Sequence, residues 1–392
     1  MRLSSRIEGI LGGGSDAWGL FIRARQLKDA GQPVVELTIG EPDSRTAPAI
    51  LQEMHRAAMA GHTGYAAIPG IAPLRDAIAA RVEARTGVPT TRDNVLVTPG
   101  GQAALFAAHQ AVTDPGDTAL ICDPYYATYP TTIRASAAHP RAVATRPEHG
   151  FQPQAADLAA VAQGARSLLI NTPNNPTGAV YSRDTLDGIA QVARDHDLWV
   201  ISDEVYDTQV WTGDHLSPRA LPGMAERTMV IGSLSKSHAM TGSRLGWLIA
   251  PPEAIARMAD LAVTTTYGVP GYIQEAGLFA LLQGPDAEER NAAPYRRRRD
   301  LALSLIAGQK VVRAVPAQGA MYLMLDIRDT GLGGTGFAEA LLDRHLIAVM
   351  PGEGFGDAAA GHVRIALTLE DAALRDALAT LLDFAAELSR AR

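Results

Sequence analysis

Apolar positions along the chain follow two rhythms that alternate with one another. Spacings of three and four predict helices near residues 47–60, 71–85, 103–112 and 182–196. Short runs rich in Val, Ile and Leu predict strands at 95–98, 118–122, 167–171, 198–202, 228–232 and 245–250. Many of these runs are apolar at consecutive positions, as strands covered by helices on both faces require. The expected fold is therefore α/β: a large domain with a mostly parallel central sheet flanked by helices.

The pattern changes towards the end of the chain. Strand-like segments at 320–327 and 362–367 precede a helix at 374–388, whose Leu374, Leu378, Leu381, Leu382 and Ala385 share one face. Thr368 followed by Asp371 is the expected N-terminal cap of that helix. This describes a smaller α+β domain. The expected partition is residues 1–45 for an N-terminal arm and part of the small domain, 46–282 for the large domain and 283–392 for the small C-terminal domain. The glycine-rich stretch 12–15 is expected to be a flexible arm or turn.

A length of 392 residues exceeds what one core usually serves, which supports two domains. No segment has the uninterrupted apolar length of a membrane span. The first twenty residues are broken by Glu8, Gly12, Gly13, Gly14 and Asp16, so they lack the apolar middle of a signal peptide. The only cysteine, Cys122, has no partner for a disulfide and no companions for a structural zinc site. Together these features predict a cytoplasmic protein with no membrane partner and no metal. A net charge of −7 argues against a nucleic-acid partner, although Arg296, Arg297, Arg298 and Arg299 form a basic run. That run lies in the helical stretch 286–306 and is expected to be a solvated helix face.

Several candidate chemical groups follow the strands. Ser233, Leu234, Ser235 and Lys236 come directly after the run 228–232, with Arg244 eight residues further on. A lysine there can form a Schiff base with an aldehyde, and two hydroxyls with a guanidinium can bind a phosphate dianion; a polar loop with a surface lysine would have the same composition. Asp203 ends another strand, with Tyr206 three residues on. A buried carboxylate can keep a pyridine nitrogen protonated and a phenol can bond a ring oxygen, but a loop cap or metal ligand also fits this position. Asn174-Asn175-Pro176-Thr177-Gly178 reads as a tight turn whose Asn175 amide can donate to the same oxygen, or as a turn alone. Between a strand and a helix, Thr98-Pro99-Gly100-Gly101-Gln102 offers glycines and helix-start amides to a phosphate, as many folds do. Tyr126 can stack on a planar ring or simply pack.

Each of these groups ends a different strand, where open α/β sheets bind ligands. In their order and spacing they resemble the class I aminotransferases of the fold type I pyridoxal-phosphate (PLP) enzymes, the aspartate-aminotransferase-like group. The resemblance runs from Leu37-Thr38-Ile39-Gly40-Glu41-Pro42-Asp43 to His362-Val363-Arg364-Ile365-Ala366. It implies that Lys236 binds the cofactor covalently and acts as the catalytic base, that Asp203 faces the pyridine nitrogen, and that Tyr206 and Asn175 reach the 3-oxygen. Ser233, Ser235, Arg244 and the turn Gly100, Gly101 and Gln102 then hold the phosphate, with Tyr126 against the ring. Arg364 corresponds to the arginine that grips the substrate carboxylate, and Gly40, like Asn175, lies against the substrate. Tyr65 resembles a tyrosine that reaches the neighbouring subunit's phosphate, which implies a homodimer with shared active sites. The implied reaction is ping-pong transfer of an amino group between an L-amino acid and a 2-oxo acid such as 2-oxoglutarate.

One departure bears on the substrate. Some relatives acting on aspartate carry a lysine at the position of Gln102, and glutamine offers no charge to a second carboxylate. Two competing functions use the same scaffold: a PLP-dependent β-eliminating lyase, and a non-catalytic PLP-sensing regulator, for which the residues before Leu37 are too few to form a winged helix. Separately, Gly331-Leu332-Gly333-Gly334-Thr335-Gly336 satisfies the dinucleotide-binding glycine pattern. Too little chain follows it for the second half of such a domain, and it is expected to be a connecting loop.

Overall fold

The computed structural model describes residues 1–12 and 18–391, so most of the glycine-rich stretch 12–15 lies outside the described residues. Seven strands form the larger sheet in the order Val95–Thr98, Gly246–Ile249, Thr228–Ser233, Trp199–Asp203, Ala165–Asn171, Thr118–Asp123 and His139–Ala144. All neighbours are parallel except Gly246–Ile249, which runs antiparallel to the strands on both sides of it. All six strands expected in this region are present. The edge strand His139–Ala144 was not anticipated, because its residues are mostly exposed and it lacks the apolar run of its neighbours.

Alternation along the strands explains why both faces had to be apolar. Leu96, Ile121, Leu169, Ile201, Met229 and Ile231 pack on one face against Ala104, Leu105 and Ala108 of the helix Gly101–Val112. Intervening residues point the other way. Val95, Val97, Val230 and Trp247 meet Leu74 and Ile78 of the helix Ala72–Thr86, while Leu120, Leu168 and Val200 meet Leu186 and Ile189 of Arg183–Asp195. The result is a helix–sheet–helix sandwich that leaves the carboxyl ends of the parallel strands along one rim.

A second, antiparallel sheet has the order Met350–Pro351, His362–Ala366, Tyr322–Asp326 and Arg313–Ala314. Its core includes Leu323, Leu325, Val363 and Ile365 with Leu374, Leu378 and Leu381 of the helix Asp371–Arg390, and also Leu20, Ala24, Val34 and Leu37 from the start of the chain. The expected cap of that helix is corrected. Glu370 occupies the N-cap position without a side-chain hydrogen bond, and the Thr368 hydroxyl instead donates to the Ile39 carbonyl at 3.3 Å.

The arginine run also differs from expectation. It lies on the helix Pro285–Ala307, where four consecutive residues point around the whole circumference. Arg296 and Arg297 form exposed ion pairs with Glu289 and Asp371. Arg298, in contrast, is only 4% exposed and holds Asp43 through two nitrogens. The expected solvated face therefore describes half of the run.

At the glycine pattern 331–336, Gly331 ends the short 3-10 turn Arg328–Thr330, and Gly334 begins the helix Gly334–His345. The Glu353 carboxylate accepts from the Gly334 N–H at 2.8 Å. A Cβ on Gly334 would lie 2.3 Å from both a Glu353 carboxylate oxygen and the His362 carbonyl. The chain's own acid thus fills the helix start that a phosphate would need. Gly334 serves close packing and Gly331 turns the chain at φ +82°. Gly336 lies in the helix with open space beside it, so the expected connecting loop covers only the first half of the pattern.

Candidate active site

The turns that follow five strands of the large sheet converge on one cavity of about 300 Å³. Gly101, Gln102, Tyr126, Asn175, Asp203, Tyr206, Ser233, Ser235, Lys236 and Arg244 line it from the large sheet, and Gly40 and Arg364 close it from the other side. All twelve are among the residues that the sequence expects to share one site.

One end of the cavity is built for an anion. The helix Gly101–Val112 begins here with no side-chain cap, so its first amides and its positive dipole end face the cavity unmasked. Gly100 precedes it at φ +81°, and a Cβ there would lie 2.3 Å from the Arg244 guanidinium. Gly246 lets the neighbouring strand approach this turn, since a Cβ on it would come within 2.7 Å of the Gly101 nitrogen. The Ser233 hydroxyl donates to the Ser235 hydroxyl at 2.9 Å, and Arg244 is steadied by donating to the Thr241 carbonyl at 2.8 Å.

Lys236 sits at the cavity's centre and donates to the Gly40 carbonyl. Burial pushes its amine down to about 8, with Glu41 opposing the shift and Arg364 adding to it. Asp203 is buried at the floor, where desolvation pushes it up to about 6 even though the Tyr129 hydroxyl donates to it at 2.7 Å. Tyr206 and Tyr322 share a hydrogen bond of 2.8 Å between their hydroxyls.

Arg364 extends from the strand His362–Ala366 between the rings of Tyr322 and Phe355, each centroid 4.5 Å from its guanidinium carbon. It donates to the Asn175 side-chain oxygen at 2.9 Å and to the Thr38 carbonyl, while its Nε is buried without a hydrogen-bond partner among the described residues. A buried cation with an unused donor suits a carboxylate ligand. Gly40 is required beside it, because any Cβ would overlap the Tyr322 hydroxyl.

Two tyrosines of this site are not among the residues that the sequence expects to share it. Tyr129 follows Tyr126 by three positions at the start of the helix Tyr129–Ala135, and that spacing beside an aromatic pair was a usable signal. Tyr322 carried none, since it reads as one more apolar position of a buried strand. Gln102 is held at both ends: its amide nitrogen donates to Thr132 at 2.7 Å and its oxygen accepts from Thr128 at 3.0 Å. Trp18, Glu41 and Thr241 also line the cavity. Tyr65 is 90% exposed and packs edge-on against Tyr267 outside this chain's own cavity.

The uncapped helix start, the glycine cradle under Arg244, the central amine and the buried acid fit a planar, phosphate-bearing aldehyde such as pyridoxal phosphate. Among the described residues no helix is long and apolar enough to cross a membrane, and no cluster of three or more potential metal-binding side chains is present.

Known proteins resemble this chain in sequence and fold. A family model described as aminotransferase class I and II matches residues 32–381. An arginine–pyruvate transaminase of Pseudomonas aeruginosa is 41% identical over 389 residues, spanning 99% of both chains. An aspartate/prephenate aminotransferase of Thermus thermophilus is 36% identical over 361 residues, 91% of this chain and 92% of the relative. Among solved structures, the Thermus thermophilus aspartate aminotransferase with maleate superposes with a TM-score of 0.91 at 35% identity, covering 98% of this chain and 100% of the other. With sequence, fold and full-length coverage in agreement, the chain belongs to the class I and II aminotransferases, a pyridoxal-phosphate-dependent family of transaminases.

Proposed function

We propose that this transaminase works as a homodimer with pyridoxal phosphate held on Lys236, and that it passes an amino group from a monocarboxylic L-amino acid to a 2-oxo acid in two half-reactions at one site. The observation that carries the reading is the meeting of Lys236, Asp203 and Arg364 in a single cavity beside an uncapped helix start. When bound, pyridoxal phosphate supplies an aldehyde that takes up amines and a pyridine ring that accepts electrons.

The chain's own groups do the rest. Ser233, Ser235, Arg244 and the turn Gly100–Gln102 would hold the phosphate, and Tyr126 would lie against the ring. Asp203 would keep the pyridine nitrogen protonated, and Tyr206 and Asn175 would bond the 3-oxygen. Arg364 grips the donor's carboxylate and turns its Cα–H bond towards Lys236, with Gly40 giving room. Once freed by the donor's amine, Lys236 would serve as the base that takes the Cα proton and would hold it for return to the cofactor side. An amine near 8 suits this task, because an appreciable share is unprotonated close to neutral pH.

Gln102 supports a monocarboxylic donor. Both ends of its amide are engaged by Thr128 and Thr132, and it brings no positive charge to a second carboxylate. For the acceptor, 2-oxoglutarate and pyruvate are the two to compare, the latter because the 41% identical relative is named for it. The homodimer is supported by the exposed apolar residues Tyr65, Tyr267, Met59 and Leu51, and in such a dimer Tyr65 would be the residue that reaches the partner's phosphate site.

Holoenzyme incubated with a panel of amino acids should convert to the pyridoxamine form and release the matching 2-oxo acids. Borohydride reduction should fix the cofactor on Lys236, one of only three lysines in the chain. Pyruvate and ammonia without any pyridoxamine form would instead show β-elimination. Unchanged turnover in Lys236→Ala would remove the proposal altogether.

A further inference from the structure

Arg298 belongs to no part of the site described above, yet its contacts lead there. The backbone from Leu37 to Asp43 has no helix or strand of its own, so its path depends on what binds it. The Leu37 N–H donates to the Ala348 carbonyl and the Leu37 carbonyl accepts from the Ala366 N–H, both at 2.8 Å. Beyond it, the carbonyls of Thr38, Ile39 and Gly40 accept in turn from Arg364, Thr368 and Lys236. Glu41 accepts from the Thr241 hydroxyl at 2.9 Å.

Asp43 ends this segment in the grip of Arg298, whose two terminal nitrogens donate to separate carboxylate oxygens at 2.9 and 2.7 Å. The Tyr295 hydroxyl donates to the same carboxylate at 3.3 Å. Although burial would raise Asp43, the Arg298 hydrogen bonds and charge hold it below the usual carboxylate range. One of these arginine nitrogens also donates to the Leu367 carbonyl at 3.1 Å, three residues beyond Arg364, and Nε reaches Asp371 at 3.3 Å.

We propose that Arg298 is a positioning residue for the amino donor: it fastens the Gly40 segment to the strand that carries Arg364, fixing the separation of two groups that face the donor. The planar fork makes this possible. A lysine could touch one Asp43 oxygen but could not span both and the Leu367 carbonyl together. Displacing either wall of the cavity by about 1 Å is enough to weaken a bound geometry many-fold. The inference rests on the reading of Arg364 as the carboxylate-binding group.

The test uses holoenzyme, with 2-methylalanine as the binding probe because it has the amine and carboxylate of a donor but no Cα hydrogen. Arg298→Lys and Asp43→Asn should each raise its calorimetric Kd, and the KM of the best donor, by about tenfold while kcat stays within about threefold. The double variant should be no worse than the poorer single one, since both remove the same contact. If Arg298→Lys fails to fold, Asp43→Asn carries the test, because it leaves Arg298 paired with Leu367 and Asp371. Unchanged Kd and KM in the variants that fold would overturn the inference whatever happens to thermal stability, as would a fall in kcat alone. Arg364→Lys separates the two readings. A large loss of affinity there, with none in Arg298→Lys or Asp43→Asn, removes this inference only; no loss in Arg364→Lys removes the carboxylate reading as well.

Discussion

In cofactor-free protein, Lys236 should react with small amine reagents as no ordinary lysine does. Burial lowers its amine from 10.5 to about 8. At pH 7 an amine at 8 is neutral in about one molecule in ten, against about one in three thousand at 10.5, an advantage of roughly 300-fold. A less basic amine is also a weaker nucleophile. If amines follow the Brønsted slope of about 0.5 known for thiols, the 2.5-unit shift removes a little over one decade and leaves roughly 15-fold. Reductive methylation with formaldehyde, followed by peptide mapping, can read this directly because the chain has only Lys28, Lys236 and Lys310. The labelling midpoint of Lys236 should lie near 8, and its rate at pH 7 should exceed that of exposed Lys310 by about this factor. Charge removal fixes the sign: Glu41→Gln should move the midpoint down, because Glu41 raises it, and Arg364→Gln should move it up. A midpoint near 10, or equal labelling of Lys236 and Lys310, would refute the claim that desolvation tunes this amine.

Gly100→Ala should weaken pyridoxal phosphate binding at least tenfold in equilibrium dialysis, because the added Cβ meets Arg244 at 2.3 Å from a positive φ; unchanged affinity would contradict the cradle. Tyr129→Phe deletes the hydrogen bond that holds Asp203 down, so the Asp203 carboxyl should titrate higher by carbon NMR, with a stability loss of about 1–3 kcal/mol in urea unfolding. Asp123 is pushed up to about 6 by burial, although the Ala358 N–H bonds it. Its native form therefore binds more protons than the unfolded chain between roughly pH 4 and 6, and its contribution is present below pH 4 and lost as pH rises through 6. Relative to the wild type, Asp123→Asn should gain up to about 3 kcal/mol of stability between pH 4 and 7; a pH-independent difference would show that Asp123 is not perturbed.

Much of this was legible in the sequence for one physical reason. Strands covered on both faces, such as Thr228–Ser233, carry apolar side chains at successive positions, and the turns after them hold the reactive groups. Where burial is one-sided or absent the signal fades, as for the edge strand His139–Ala144. Roles set by distant partners were also invisible. Arg298 looks like its three neighbours until Asp43 is brought to it across 255 positions of sequence. Tyr322 reads as core until Tyr206 and Arg364 meet it. Thr368 has the right residue type for a cap but is committed to Ile39.

The clasp around Gln102 bears on how donor preference could be altered. A lysine at 102 would supply a cation but could not accept from Thr128, so that hydroxyl would lose its side-chain acceptor. Thr132 donates its own proton to the Thr128 carbonyl, so it depends on an incoming donor that only a correctly placed group can replace. Position 102 therefore belongs to a group of three coupled positions, in which the effect of changing it depends on what already stands at 128 and 132.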